Sequence, residues 1–222
     1  MVPKIKTDMN ISYGKQEDFR LQLLATLEQT KSENTAFRVI DVGGVAGGGW
    51  SSSVADMVVD INAEDTDTSL SIDICREQEW NKLLSIVATQ GQYDYAICAH
   101  TLEDVYNPFT ALDMLPRIAK AGVITMPCFK VELSRIENSD WLGYIHHRWI
   151  YDQEDGEMLV IPKVSFLESL VKDTVTPDPD QYEIRYEWSE TIPYQIFMNN
   201  YLGPHIYAVI DEYTKLITSR IA

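Results

Sequence analysis

The stretch Val39-Ile-Asp-Val-Gly-Gly-Val-Ala-Gly-Gly-Gly49 decides the fold. Phe37 to Val42 is a short apolar run that stops at glycines, as a buried strand does. Glycines directly after a parallel strand let a ligand come close to the backbone at the carboxyl edge of a sheet. The plain alternative for Gly43 to Gly49 is a flexible surface turn.

The pattern continues on the C-terminal side. Met57 to Ile61, Leu70 to Ile74, Tyr93 to Ala99 and Gly122 to Met126 are further strand-like runs. Between them, Trp80, Leu83, Leu84 and Val87 fall at i, i+3, i+4 and i+7, which predicts a helix. Phe109 to Ala119 is also helical in pattern, with Pro116 requiring a bend or a restart. Before the first strand, Phe19, Leu23 and Leu27 form one stripe of a helix over residues 16–30. Strands alternating with helices over residues 37–127 predict linked βαβ units and a parallel sheet covered on both faces. Residues 43–56 leave room for at most one or two helical turns, below the usual crossover length.

Beyond Pro127 the pattern is less regular. Residues 128–163 are rich in aromatics and histidines and read as an insertion over the end of the sheet. Ser165-Phe-Leu-Glu168 has the form of a capping box opening a helix. Thr176 to Asp180 reads as a turn, Tyr182 to Trp188 alternates like a strand, and Ile206 to Ile217 closes the chain as an amphipathic helix. The expectation is one domain over residues 1–222.

Composition bounds the class. The 222 residues are 45% hydrophobic and 23% charged, which is ordinary for a globular chain. No apolar run is long enough for a membrane span, and no signal peptide is expected. Three widely spaced cysteines, Cys75, Cys98 and Cys128, predict free thiols in a reducing, cytoplasmic setting. A net charge of -16 repels a phosphate backbone, so no nucleic-acid partner is expected, nor an anionic membrane.

The acids beside the glycines indicate the ligand. The dinucleotide fingerprint fails, because Val45 stands at its third position when counted from Gly43. Asp41 at the turn would repel a pyrophosphate and attract a ligand carrying an ammonium and a sulfonium. Asp60, nineteen residues on, ends the second strand, where a carboxylate bridges ribose hydroxyls. Asp73 closes the third run, within reach of an adenine amino group. Its plain alternative is a solvated strand end. Together the three acids describe S-adenosylmethionine (SAM) better than NAD.

The order Val39-Ile-Asp-Val-Gly-Gly44, Val58-Val-Asp60, Ser71-Ile-Asp-Ile74 and Tyr93 to Pro108 resembles the class I SAM-dependent methyltransferases. It is closest to the group with a His-x-Leu-Glu-His-Val-like stretch after the fourth strand, here His100-Thr-Leu-Glu-Asp-Val105. Arg117 to Gly122 and Met126-Pro127 continue the pattern, so the resemblance covers about residues 37–163. It implies a Rossmann-like three-layer α/β sandwich with a mostly parallel seven-stranded sheet, including one antiparallel strand late in the chain. It also implies that Asp41, Gly43, Gly44 and Gly47 line the methionine part of SAM. Asp60 and Ile61 would hold the ribose, Asp73 and Ile74 the adenine, and Ala99 and His100 would sit beside the sulfonium. Two positions depart from the pattern: Val45 replaces the usual middle glycine, and Asp104 stands where His is common.

Trp141-Leu-Gly-Tyr-Ile-His-His-Arg-Trp-Ile-Tyr151 is dense in ligand-recognising residues. Following the fifth strand, it can cover the cofactor and form an acceptor pocket with His146, Arg148 and Trp149. Methyl transfer needs proximity, alignment and sometimes a base, and His100 or His147 is the expected proton acceptor. Packing anchors at Trp141 and Trp149, with His146 and His147 facing opposite ways, are the competing reading. No metal is expected, since no trusted ligand spacing joins these histidines to nearby acids. The expected activity is methyl transfer to a small molecule or glycan, with oxygen favoured over nitrogen or carbon. The rival is a methyltransferase-like module that has lost catalysis and serves binding or assembly. The oligomeric state is open.

Overall fold

A computed structural model describes residues 9–136, 139–171, 175–198 and 205–221. The sheet grows from the run that stops at the glycines. Strand β2 (Val39–Val42) lies between β3 (Met57–Asp60) and β5 (Tyr95–Ala99), all parallel. Strand β4 (Ser69–Ser71) extends the sheet beyond β3, and β6 (Ala121–Pro127) extends it beyond β5, both in parallel. Strand β9 (Glu183–Ser189) then pairs antiparallel with β6, and β1 (Asn10–Gly14) pairs antiparallel with β9. The order β1-β9-β6-β5-β2-β3-β4 is therefore seven-stranded and mostly parallel, with one reversed strand late in the chain.

Side chains alternate across a strand, so each strand feeds two cores. Val39, Ile97 and Val123 pack with Phe19, Leu23 and Leu27 of α1 (Gln16–Glu33) on one face. Ile40, Val42, Ala96, Cys98 and Ile124 pack on the other face. There they meet the side chains of α2 (Asn81–Gln90) and α3 (Pro108–Ile118). The result is an α/β three-layer sandwich with helices on both faces.

The region after β6 builds a second, smaller sheet. A short helix α4 (Phe129–Glu132) leads to the hairpin β7 (Trp149–Glu154) and β8 (Glu157–Pro162), which β10 (Tyr194–Ile196) joins in parallel. One face of this sheet, with Tyr151, Met158 and Val160, packs into the main core. The other, with Ile150, Leu159 and Ile161, packs against Tyr213, Leu216 and Ile217 of α6 (Ile206–Ile221).

Several expectations are corrected. Pro116 lies inside α3 without ending it, and Gln92 Nε2 donates to the carbonyls of Pro116 and Arg117 at 3.0 and 3.3 Å. The third run is shorter than its apolar pattern, only Ser69–Ser71, because Ile72 and Ile74 leave the ladder to fill the core. The capping box at Ser165 does not form, since α5 is only Leu167–Leu170 and has no side-chain cap. Its Glu168 instead accepts the Leu142 amide at 2.7 Å, tying the insertion down. Strand β1 was not anticipated, because Ile11 and Tyr13 alternate over too few residues to stand out. All three cysteines are free and buried. No helix among the described residues is long and apolar enough to cross a membrane.

Candidate functional site

The parallel strands end along one edge, which collects most of the expected site. Asp41 is the penultimate residue of β2 with Gly43 just past its end, Asp60 finishes β3, and Ala99 finishes β5 with His100 just past it. Asp73 lies just past β4.

The connection over residues 43–56 contains turns and no helix. Val54 and Trp50 fold it onto the α1 face, where the Arg20 guanidinium stacks 5.2 Å from the Trp50 ring. Without a helix, this turn offers no N-terminal dipole to an anion, so the chemistry of a pyrophosphate cradle is missing. Gly43 has φ +88, and a Cβ there would overlap the Thr101 side chain. A Cβ on Gly44 would overlap the Asp41 carboxylate. These two glycines are thus required by their own neighbours. Gly47, with φ +74, has open space where a Cβ would go, and Val45 is exposed.

Asp41 is the unusual group on this edge. It is 3% exposed, and Ser51 Oγ is its side-chain hydrogen-bond donor. Burial pushes its pKa up to about 6, the Ser51 bond opposes that, and the charge of Asp60 adds to it. Asp60 accepts the Asn62 amide at 2.7 Å. Asp73 is held by its own surroundings, with Arg76 at 3.0 Å and the Cys75 amide at 3.0 Å. Ile74 is buried in the core and Ile61 is exposed.

His100 sits with φ 51, in the left-handed region that a residue with a side chain enters at a cost. Its amide bonds to the Thr125 carbonyl of β6 at 2.8 Å. Nδ1 lies 3.5 Å from Glu103 Oε1, and Nε2 lies 3.2 Å from Glu183 Oε2. The side-chain amide of Gln16 is 2.8 Å from Nε2. Burial alone would lower the pKa of the ring, but the two carboxylates outweigh it and raise it to about 9. The two carboxylates therefore favour the protonated ring.

The second cluster is built by the insertion. Arg148 and Trp149 donate their amides to the Glu103 carbonyl at 2.7 and 3.2 Å, and Tyr151 Oη donates to the Leu102 carbonyl at 3.1 Å. These bonds draw the segment from Trp141 to Tyr151 onto the loop that follows β5. Gly143, with φ 54, allows the approach, since a Cβ there would overlap Glu132. His147 is buried, with Nδ1 2.7 Å from Glu132 Oε1. Lys163 Nζ donates to the other Glu132 oxygen at 2.6 Å and to the Tyr144 carbonyl at 2.7 Å. His147 Nε2 faces Asp104 Oδ1 at 3.7 Å, and exposed His146 places its own Nε2 3.7 Å from the same oxygen.

Sequence reasoning thus named His146 and His147 but missed what joins them. Asp104 was visible only as a departure from a family pattern. Glu103 stands in the quoted stretch from His100 to Val105 without a role, and Glu132, Lys163, Gln16 and Glu183 carry no local signal. Trp149 is spent on packing, as its indole N–H bonds to the Val105 carbonyl at 2.9 Å and its ring meets Phe109 edge-on at 5.2 Å. Arg148 is exposed, and Trp141 rather than Trp149 lines a cavity of about 570 Å³ with His147, Ile145 and Leu142. A larger cavity of about 850 Å³ lies between Tyr13, Cys128, Asp152 and Arg220.

No protein-family model matches the chain, and no curated protein does. Among solved structures it is similar to the N-terminal domain of EvdMO1, crystallised with SAH (S-adenosylhomocysteine) and D-fucose. The identity is 11% and the TM-score 0.31, covering 73% of this chain and 82% of that one. It is also similar to a cyclopropane-fatty-acyl-phospholipid synthase-like protein from Lactobacillus casei ATCC 334. There the identity is 11% and the TM-score 0.28, covering 81% of this chain and 96% of that one. At TM-scores this low the likeness identifies no family.

Proposed function

We propose that the chain binds SAM along the carboxyl edge of the sheet and transfers its methyl group to a small molecule or glycan. The observation that carries this reading is the row Asp73, Asp60 and Asp41 at the carboxyl ends of three neighbouring parallel strands, beside a glycine turn with no helix behind it. Such an edge favours a cationic ligand with a ribose over a pyrophosphate. Gly47 faces open space and leaves room for the ligand there. In this reading Asp41 faces the ammonium, Asp60 the ribose hydroxyls, and Ala99 the reacting end. Oxygen is the favoured acceptor atom.

In this reading Glu103 and Glu183 favour a protonated His100, which would contribute charge and position. Of the two expected proton acceptors, His147 keeps a ring nitrogen, Nε2, that no backbone or glutamate partner occupies. Proximity and alignment supply the rest of the rate.

Calorimetric titration with SAM and with SAH tests the reading. One site per chain is expected, and Asp60→Ala should weaken it by roughly 1–3 kcal/mol. Unchanged affinity in that variant removes Asp60 from the ribose. Absence of binding by both ligands leaves the rival, a non-catalytic binding module.

A further inference from the structure

We propose that Asp104, His146 and His147 form a binding site for a divalent transition-metal ion of the zinc class. Their three ligand atoms, one carboxylate oxygen and two imidazole nitrogens, all lie within 4.8 Å of one another. Ligand atoms around a tetrahedral zinc ion stand about 3.3 Å apart, given metal distances of about 2.0–2.1 Å. Asp104 is already 3.7 Å from each histidine, and the exposed His146 ring is free to close the remaining gap.

The surroundings prepare the ligands. Glu132 accepts at 2.7 Å from His147 Nδ1, which fixes the proton on Nδ1 and leaves the Nε2 lone pair pointing at Asp104. A carboxylate behind a histidine is the usual support of a metal-binding imidazole, because it orients the ring and raises its basicity. Lys163 in turn holds Glu132 at 2.6 Å, so the support is itself anchored. Two nitrogens and one oxygen suit zinc, cobalt or iron(II) and not calcium or magnesium, which prefer oxygen. With only three protein ligands and with His146 and Asp104 open to solvent, a fourth position faces outward. That position would take water or an oxygen of a small ligand.

This site shares His147 Nε2 with the proposed function, because a bound metal would take the lone pair offered there as proton acceptor, and it is tested without SAM. The tag-free, chelator-treated chain is titrated with zinc chloride by calorimetry and with cobalt(II) chloride by visible absorption. One ion per chain and a four-coordinate cobalt spectrum are expected. His146→Ala and Asp104→Asn change exposed groups, so both should keep the parent melting temperature while each weakens zinc at least about tenfold. No binding by the parent chain, or binding that either variant leaves unchanged, overturns the site.

Discussion

Two buried carboxylates, Asp41 at the glycine turn and Glu132 behind His147, are almost equally hidden, at 3% and 1% exposed. Their company differs. Glu132 has a lysine ammonium on one oxygen and an imidazole N–H on the other. Asp41 has the Ser51 hydroxyl, and the charge of Asp60 acts on it by repulsion. Burial of a charge is tolerated when hydrogen bonds and an opposite charge compensate it, and is otherwise costly. The insertion is thus compensated within the protein. The glycine turn keeps a charge destabilised by burial, and in the proposed function a cationic ligand would compensate it, as where stability is traded for binding.

The largest effect that could break this contrast comes from Glu132→Ala. It strands Lys163 and His147 beside each other, and the expected loss is about 3–5 kcal/mol, as for one partner removed from a buried ion pair. Urea unfolding measures it, and a loss under about 1 kcal/mol would show that Glu132 is not compensated in the way described.

Asp41→Asn should move stability the other way. A folded pKa of about 6 against an ordinary 3.8 means the folded state takes up a proton more readily. Stability from this group is therefore present at low pH and lost as pH rises through that range. The variant should gain about 1–3 kcal/mol at pH 7.5, and the gain should vanish below about pH 4. In the same variant SAM affinity should fall. Destabilisation at pH 7.5 would mean that the Ser51 bond already compensates the charge.

His100 gives the most pH-bound effect. Its folded pKa of about 9 lies above the ordinary 6.5, so its ion pairs contribute fully below pH 6.5 and are lost as pH rises toward 9. Stability should fall by up to about 3 kcal/mol across that window. An imidazole titration followed by NMR should place the midpoint near 9 in the parent chain and lower in Glu183→Gln. A midpoint near 6.5 in the parent would return His100 to the role of a neutral base.

What the sequence determined by itself was written in short-range patterns. The apolar run ending at Gly43, the four-residue spacing of Phe19, Leu23 and Leu27, and the alternation of Tyr182 to Trp188 are each set by neighbours on one element. From them the α/β order, the sheet edge and the row of acids beside it are legible, because periodicity follows from local backbone geometry. The tertiary structure decided which side chains meet. Gln16 and Glu183 reach His100 from 84 and 83 residues away, and Glu103 draws in Arg148 through backbone bonds. It also decided the two carboxylates beside His100, the burial of Asp41 and the meeting of Asp104 with His146 and His147. Burial and the proximity of opposite charges arise only when distant segments pack, and no local pattern encodes them.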